Sequence, residues 1–249
     1  MTVNILTVEK LVKHYDGLLA TDELSIDVRD GELHAIIGPN GAGKTTLIKQ
    51  LTGEISPDSG RITFAGRNLR RLTEPQRSHI GLARSFQITS LFKNFTVLDN
   101  VRLAVQAHSG HSFHFWRKVK DDDRLTEPAL DILREMGLDD RAETLVANLS
   151  HGEQRQLEIA VALATKPKML LLDEPMAGMS GEDSERLVAH LAKLKSRFSI
   201  LLVEHDMDAV FSLADRISVL VYGQAIATGT PEEIRSNEKV RQAYLGEEE

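Results

Sequence analysis

The sequence predicts an α/β fold with a mostly parallel core sheet, an N-terminal antiparallel β subdomain and a helical insertion. Three observations indicate this architecture. Strand-sized apolar runs alternate with helical segments after Gln154, which is typical of a parallel sheet covered on both faces. Apolar and polar residues alternate at the N-terminus, which predicts antiparallel strands. Between Gln87 and Leu149 the apolar residues follow helical spacing instead.

The first part of the chain contains strands and one helix. The segments "ILTVEKLVKHY" and "DELSIDVRDGELHAIIG" alternate in polarity, and we expect both to form antiparallel strands. Within the second segment, "ELHAII" is apolar enough for a buried strand, and "TTLIKQL" behind it predicts a helix. The segment "SGRITFAGRNL" then adds another strand.

The stretch that joins this buried strand to the helix, "IIGPNGAGKTTL", fits G-x-x-x-x-G-K-[ST] at Gly38, Gly43, Lys44 and Thr45. Glycines allow successive backbone N–H groups to face an anion, and the helix points its positive end at the same place. Lys44 can reach the terminal phosphates of a nucleotide, and Thr45 can offer its hydroxyl to Mg²⁺. A glycine-rich turn without a ligand is the alternative, and the flanking strand and helix count against it.

The next segments predict helices, and the segments after them predict alternating helices and strands. "TVLDNVRLAVQA" and "EPALDILREMGL" predict two helices, separated by the polar-aromatic segment "HSGHSFHFWRKVKDDD". From Gln154 the helix "RQLEIAVALAT" leads to the strand "MLLLDE", the helix "DSERLVAHLAKLK" and the strand "SILLVEH". These elements supply the parallel sheet and its crossover helices.

Two adjacent acids, Asp173 and Glu174, end the buried strand in "KMLLLDEP". Successive side chains of a strand point to opposite faces, but at the strand end both acids can approach one site. Asp173 can hold Mg²⁺ through water, and Glu174 lies where a water is activated for attack on a γ-phosphate. Solvated acids at a strand end are the alternative.

Ser150 and Gly152 open an amphipathic helix in "NLSHGEQRQLEIA". Free N–H groups, a small hydroxyl and the helix dipole make a second anion site there. A single domain does not need two such sites for one nucleotide, so we expect these residues to face the nucleotide of another copy. A local helix N-cap is the alternative.

Composition limits the classes of protein. The 249 residues are 41% hydrophobic and 27% charged, with a formal net charge of −7 and no cysteine. The lack of cysteine excludes disulfides and thiolate metal sites, and the negative charge disfavours a nucleic-acid groove. No apolar stretch approaches the ~18–20 residues that cross a bilayer. The start "MTVNILTVEK" does not resemble a secretory signal. Because the sequence has no cysteine, a cytoplasmic location is expected.

In their order, these motifs resemble those of the ATP-binding subunits of ABC transporters, over nearly the whole chain. The resemblance implies ATP hydrolysis with ATP and Mg²⁺ bound in one domain, residues 1–249. In that domain, 1–86 and 150–249 would form the nucleotide-binding core and 87–149 the helical subdomain.

The resemblance also assigns residue roles. Tyr15 corresponds to the aromatic that stacks on adenine, Gln87 in "ARSFQITSLF" to the glutamine that contacts Mg²⁺ and the lytic water, and His205 in "LLVEHD" to the switch histidine. The expected catalytic residues are Glu174 as general base, His205, Gln87 and Lys44. The expected metal contacts are Thr45, Gln87 and Asp173. The expected ATP contacts are Tyr15, Gly38, Pro39, Asn40, Gly41, Ala42, Gly43, Lys44, Thr45, Thr46, Ser150 and Gly152.

Two positions depart from the family pattern. His151 replaces the glycine usual at the third position of the signature "LSHGEQ". Ser180 in "MAGMS" stands where the family commonly has an aspartate, and serine can hydrogen-bond across a dimer but brings no charge. Neither departure touches Lys44, the two acids or His205, so hydrolysis is expected.

Within the family, "GLARSFQITSLFKNFTVLDNV", "VEHDMDAV" and "GTPEEIRSNEKVRQAYLG" look like importers of branched-chain amino acids. Carriers of urea and short amides and the ATPase of the lipopolysaccharide exporter look similar. The implied partners are a second ATPase subunit, identical or paralogous and arranged head to tail, and transmembrane permease subunits. An importer would add a periplasmic substrate-binding protein, and the chain would lie on the cytoplasmic face of the membrane. Nucleic acid is not expected; a soluble ABC-type ATPase acting on DNA or ribosomes and a pseudo-ATPase are the competing classes.

The polar-aromatic segment contains histidines and large aromatic residues. The histidines have no acid nearby, which favours solvated surface over a metal site. The aromatic residues either pack on the helices of the insertion or lie near the membrane subunits. The two sets are His108, His111 and His114, and Phe113, Phe115 and Trp116.

Overall fold

The computed structural model describes residues 3–84, 91–109 and 122–245. Within these ranges lie strands in two sheets and flanking helices. The strands are β1 Asn4–Tyr15, β2 Leu18–Arg29, β3 Leu33–Ile37, β4 Ser59–Phe64, β5 Arg67–Asn68, β6 Leu82–Arg84, β7 Met169–Asp173, β8 Ser199–Val203, β9 Arg216–Val221 and β10 Gln224–Gly229. The helices are α1 Lys44–Thr52, α2 Glu74–His79, α3 Val97–Ser109, α4 Asp123–Glu135, α5 His151–Ala164, α6 Gly181–Leu194, α7 Met207–Leu213, α8 Pro231–Ser236 and α9 Glu238–Leu245.

The core sheet has six strands in the order β10-β9-β3-β8-β7-β6 and is parallel except for β10. All residues of β3, β7 and β8 are buried, because both faces of these strands are covered by other parts of the protein. The mostly parallel core sheet and the α/β class are therefore confirmed. The antiparallel expectation is wrong for Leu33–Ile37, which pairs in parallel with β8 and β9.

The second sheet has the order β2-β1-β4-β5, and its strands pair antiparallel as predicted. Its buried side chains share one hydrophobic core with Leu47 and Leu51 of α1 and with Ile36, Leu171 and Leu201 of the six-stranded sheet. The antiparallel layer therefore covers one face of the core sheet and fixes α1 beside it.

The opposite face of the core sheet carries α5, α6 and the helical part. The buried apolar residues of α4, and most of those of α3, recur every four positions, so each helix turns one apolar stripe toward the common core. In α4 the helix begins at Asp123, earlier than the sequence pattern indicates, because the side chain of Asp122 caps it by accepting from the N–H of Arg124. The stripe residues are Val97, Val101 and Val105 in α3 and Leu125, Ala129 and Leu133 in α4.

Among the described helices, none has the length and apolar character required to span a membrane.

Candidate functional site

The loop between β3 and α1 is held so close to its neighbours that two of its positions accept only glycine. A Cβ atom at Gly38 would lie 2.2 Å from the carbonyl oxygen of Leu220, and one at Gly43, where φ is 98°, would lie 2.4 Å from that of Ala20. The N–H of Gly223 also donates to the carbonyl of Ala42 at 3.0 Å. The β9–β10 turn therefore supports the loop from outside and fixes its backbone.

Helix α1 begins at Lys44 without a side-chain cap, since its N-cap residue is Gly43. The first N–H groups of a helix have no intrahelical partner, and the helix dipole adds a partial positive charge at that end. Thr45 and Thr46 are half-buried here, whereas Asn40 and Gly41 lie exposed on the loop. The geometry is that of an anion-binding loop.

Lys44 lies inside this loop. Its buried Nζ donates to the carbonyl oxygens of Gly38 at 2.6 Å and Pro39 at 2.9 Å. Burial lowers the pKa of the Lys44 ammonium, and the charges of Glu174 and then Asp173 oppose that shift. The cation and the two acids therefore share one electrostatic environment, although they come from opposite halves of the chain.

Asp173 is the last residue of β7 and is 2% exposed. Burial raises the pKa of its carboxyl group, and the charge of Arg84 counteracts the shift. Its Oδ2 accepts a hydrogen bond from Arg84 Nη2 at 3.2 Å, whereas its buried Oδ1 has no partner in the described part of the chain. Magnesium prefers oxygen ligands and is usually held by one or two carboxylates, so this free oxygen fits a Mg²⁺ ion.

Glu174 adopts a left-handed backbone conformation, with φ at 49°. Such a conformation costs a non-glycine residue on the order of 1 kcal/mol, and it persists where the surroundings impose it. Here the N–H of Glu174 donates to the carbonyl of Val203 at 2.8 Å, which extends the β7–β8 ladder by one position before the chain turns. The half-buried Glu174 therefore lies in the turn that follows β7, where the backbone no longer has strand geometry.

His205 follows β8, and its side chain is 65% exposed. The preceding residue, Glu204, is buried and was not singled out by the sequence analysis. Its Oε1 accepts from the N–H of Met176 at 2.9 Å, and its Oε2 accepts from the N–H of His205 at 2.9 Å. The sequence offered one signal for Glu204: it is an acid that directly follows an apolar strand. A carboxylate buried in that position requires hydrogen-bond partners.

Ser150 acts as a helix cap within the chain. Its Oγ accepts from the N–H of Glu153 at 3.2 Å, and the carboxylate of Glu153 accepts from the N–H of Ser150 at 2.8 Å. Gly152 is buried, and a Cβ atom there would lie 2.9 Å from the Asp183 carboxyl carbon. The local-cap alternative is thus present in the structure, and a contact across a dimer stays a prediction.

The two departures from the family pattern differ in their surroundings. His151 is exposed at the start of α5. Ser180 caps α6: its hydroxyl donates to Asp183 Oδ2 at 2.7 Å and accepts from the N–H of Asp183 at 3.3 Å. The serine therefore serves its own helix.

Tyr15 ends β1 and is 42% exposed, with Lys13 Nζ 5.8 Å from its ring centroid. Asp58 fixes this strand end by accepting from Lys13 Nζ at 2.8 Å and from the N–H of His14 at 2.7 Å. The ring is thus presented at the surface on an anchored backbone, as base stacking requires.

Several predicted residues lie outside the described ranges, namely Gln87 and, in the polar-aromatic segment, His111, Phe113, His114, Phe115 and Trp116. His108 is described and contacts another histidine, His79, with ring centroids 6.2 Å apart. Across the described residues, no group of three or more histidines and acids is arranged to hold a metal ion.

Comparison with known proteins gives matches along the whole chain. Residues 21–177 match the ABC transporter family, and residues 226–249 match a family described as branched-chain amino acid ATP-binding cassette transporter. The high-affinity branched-chain amino acid transport ATP-binding protein LivG of Salmonella typhimurium is 40% identical over 99% of this chain and 100% of its own length. The corresponding protein BraF of Pseudomonas aeruginosa is 38% identical over the same shares.

A solved structure gives the same result in three dimensions. The crystal structure of the ADP conformation of an ATP-binding cassette of an ABC transporter superposes with a TM-score of 0.86 at 32% identity, covering 98% of this chain and 100% of that one. The anion-binding loop, the acids Asp173 and Glu174, and His205 all lie at or just after the carboxyl ends of parallel strands of the core sheet. Together with these matches, this shows that the chain belongs to the ABC transporter family and is one of its ATP-binding cassettes, an ATPase.

Proposed function

We propose that this ATPase is the motor subunit of an importer of branched-chain amino acids. The observation that carries the ATP-driven part is the convergence of Lys44 with Asp173 and Glu174, whose charges act on one another across the carboxyl ends of β3 and β7. Ligands of parallel α/β sheets bind at this edge. Such a site suits phosphoryl transfer, which depends on positioning and on compensation of charge.

In this proposal the phosphates of ATP take the place of the carbonyl oxygens that now accept from Lys44. The ammonium is already inside the loop, so only its partners change. The free N–H groups at the start of α1 and the hydroxyl of Thr45 complete the phosphate site, and Tyr15 stacks on the adenine.

For hydrolysis, Glu174 accepts the proton of the attacking water, while His205 orients the γ-phosphate. The side chain of His205 is 65% exposed, so its ring is accessible to a ligand, while Glu204 holds its backbone in place. Asp173, Thr45 and Gln87 would hold Mg²⁺, which neutralises phosphate charge when bound. Lys44 supplies the further positive charge that the transition state requires.

A second ATPase subunit, identical or paralogous, would face this one head to tail. Ser150 and Gly152 of one chain would then contact the γ-phosphate held by the other. Residue Ser150 already lies at the positive end of α5, where an anion is stabilised by the helix dipole. Binding of ATP would close the pair, and hydrolysis would open it.

Residues 87–149 would transmit this motion to transmembrane permease subunits on the cytoplasmic face, and residues 1–86 and 150–249 would form the nucleotide-binding core. At the start of the helical part, the rings of Phe92 and Phe95 stack with centroids 5.4 Å apart, although 57% and 44% of these residues are exposed. An exposed aromatic pair supports a protein contact at this position. An importer would also require a periplasmic substrate-binding protein.

The substrate is inferred from relatives, because in this proposal it passes through the permease subunits and not through the ATPase. The names of LivG and BraF state branched-chain amino acid transport, and the match of residues 226–249 points to the same subfamily.

The test is uptake in cells whose own copy carries Lys44→Ala. Uptake of radiolabelled leucine, isoleucine and valine should fall to background, because no other cation of the loop replaces Lys44. Urea uptake should not change. Loss of urea uptake with leucine uptake intact would refute the substrate and favour an amide carrier. The purified Lys44→Ala protein should show no useful MgATP binding by calorimetry, and an affinity equal to that of the unmodified protein would refute the nucleotide site.

A further inference from the structure

Arg84 joins two acids beside the candidate metal site. It ends β6, the edge strand of the core sheet, where it pairs in register with Leu171 of β7. Its Nη1 forms an ion pair with Glu54, which follows the end of α1, and its Nη2 lies 3.2 Å from Asp173 Oδ2. Its side chain is 7% exposed, so this guanidinium has little contact with water.

The two oxygens of Asp173 therefore differ. Arg84 occupies Oδ2, and Oδ1 is buried without a partner in the described residues. An aspartate carboxylate that has no partner on either oxygen can rotate about its Cβ–Cγ bond, because many values of this torsion angle have similar energy. A partner on one oxygen fixes the direction of the other, as hydrogen-bonded neighbours do for metal-ligating carboxylates.

Arg84 can act on a metal in two opposite ways. If the guanidinium had to leave Asp173 before a cation could bind, it would compete with the metal. If it stays, it supports the metal site. The ion pair with Glu54 favours support over competition. Glu54 holds the guanidinium of Arg84 through Nη1, so Arg84 stays in place when a cation binds Asp173 Oδ1.

We propose that Arg84 is a positioning residue of the metal site: anchored by Glu54, it fixes Asp173 Oδ2 and leaves Oδ1 as the oxygen available to the cation. The inference rests on the proposed role of Asp173 as a Mg²⁺ residue. In this proposal Arg84 contacts neither nucleotide nor metal and acts through Asp173 alone. Glu54 and Asp173 lie 30 and 89 positions away from Arg84 in the sequence, which explains why no local pattern indicates the arrangement.

The test measures Mn²⁺ affinity by electron paramagnetic resonance, with a non-hydrolysable ATP analogue bound to the full-length protein. Mn²⁺ accepts the same oxygen ligands as Mg²⁺. Arg84→Ala should weaken Mn²⁺ binding by about tenfold or more, the usual effect of losing a partner of a metal ligand. Nucleotide affinity in the presence of a chelator should not change, because among the described residues the guanidinium of Arg84 bonds to the carboxylates of Glu54 and Asp173. Arg84→Lys should recover part of the Mn²⁺ affinity, since it keeps the charge but loses the planar fork.

The matched control is Arg134→Ala, which removes an exposed arginine paired with Asp131, and it should leave Mn²⁺ affinity unchanged. If Arg84→Ala does not fold, Glu54→Ala tests the same inference, because it frees the other end of Arg84 and should lower Mn²⁺ affinity by a smaller factor. Mn²⁺ binding that is equal or tighter in the Arg84 or Glu54 variants overturns the positioning role, and tighter binding identifies a competitor. Absence of nucleotide-dependent Mn²⁺ binding in the unmodified protein would instead overturn the proposed metal site itself.

Discussion

The carboxylate of Glu204 accepts a hydrogen bond from the backbone N–H of Met176 at 2.9 Å. Met176 lies two positions after Glu174, and Glu204 directly precedes His205. One buried side chain therefore connects the loop behind the proposed general base with the loop that carries the proposed switch histidine. Both loops line the same cavity, whose volume is about 650 Å³.

We predict that Glu204→Gln lowers ATP turnover with little change in ATP affinity. Met176 donates its N–H to one oxygen of Glu204, and His205 and Asp206 donate theirs to the other. Glutamine keeps the shape of the side chain but places an NH₂ group against the donors on one of these two sides. Opposed donors in a buried site cost about 1–3 kcal/mol, so one loop should shift away. Steady-state ATPase assays and a nucleotide titration separate the two quantities.

The control for this prediction is Glu185→Gln, an exposed acid of α6 on the wall of the same cavity. It removes one negative charge from the same region without a backbone contact, so turnover should not change. A Glu204→Gln protein with normal turnover would show that Glu204 only closes the core and does not position the loops.

Sequence patterns predicted the elements whose signal is local. The apolar run before Gly38 and that before Asp173 are buried strands because both of their faces are covered, and the helical spacing of apolar residues predicted α3 and α4. Pairing is a property of distant segments, so polarity alone assigned Leu33–Ile37 to the wrong type of pairing. The β9–β10 hairpin, which supports the phosphate loop through Gly223, was not predicted at all.

In the site, too, residues that belong to a local motif were predicted, and residues whose role depends on a distant partner were not. Motif spacing located Lys44, Asp173 and Glu174, which the structure places at one edge of the sheet. Glu204 and Arg84 were missed because their partners are far away in sequence: Met176 for Glu204, and Asp173 for Arg84. A charged residue beside an apolar strand has the same appearance in a sequence whether it is solvated or buried.

Tyr15→Ala should weaken ATP binding by about 1 kcal/mol, the value of one lost aromatic stacking contact. Discrimination between ATP and GTP should decrease as well, because the ring would contact the base and not the phosphates. Titrations with both nucleotides measure the two effects. Phe92→Ala removes another exposed aromatic residue and should leave both affinities unchanged. An unaltered preference for ATP in Tyr15→Ala would rule out adenine stacking.

The strand end that carries Tyr15 should depend on pH through Asp58. Its hydrogen bond with Lys13, together with that from the N–H of His14, lowers the pKa of Asp58 to about 2. The ordinary value in an unfolded chain is about 3.9, so the folded state binds this proton less readily. The stabilising contribution is therefore complete above about pH 5 and is lost as the pH falls from about 4 to about 2.

Accordingly, Asp58→Asn should lower the melting temperature at neutral pH, and its difference from the unmodified protein should shrink below about pH 4. Thermal unfolding followed by circular dichroism across this range measures the difference. Asp131→Asn, in an exposed pair with Arg134, is the control and should have a small effect throughout. A difference for Asp58→Asn that does not change between neutral pH and about pH 3 would contradict the role of the carboxylate charge.

The last prediction concerns Ser150, which caps α5 in one chain and is proposed to contact ATP held by another. Glu174→Gln keeps the shape of the proposed base but cannot accept a proton, so ATP should stay intact and hold two chains together as a dimer in sedimentation. Adding Ser150→Ala should shift that dimer toward monomer, with little change in the ATP affinity of the single chain.

The capping box complicates this test, because Ser150→Ala also removes an N-cap worth about 1 kcal/mol. Thr230→Ala supplies the matched control: Thr230 forms the same capping box with Glu233 at the start of α8. In the Glu174→Gln background, Thr230→Ala should cost similar stability but leave the dimer intact. If both cap variants dissociate the dimer equally, the effect comes from the cap alone. If Ser150→Ala weakens ATP binding to the monomer while dimerisation persists, the signature serves its own chain and the contact across the dimer is wrong.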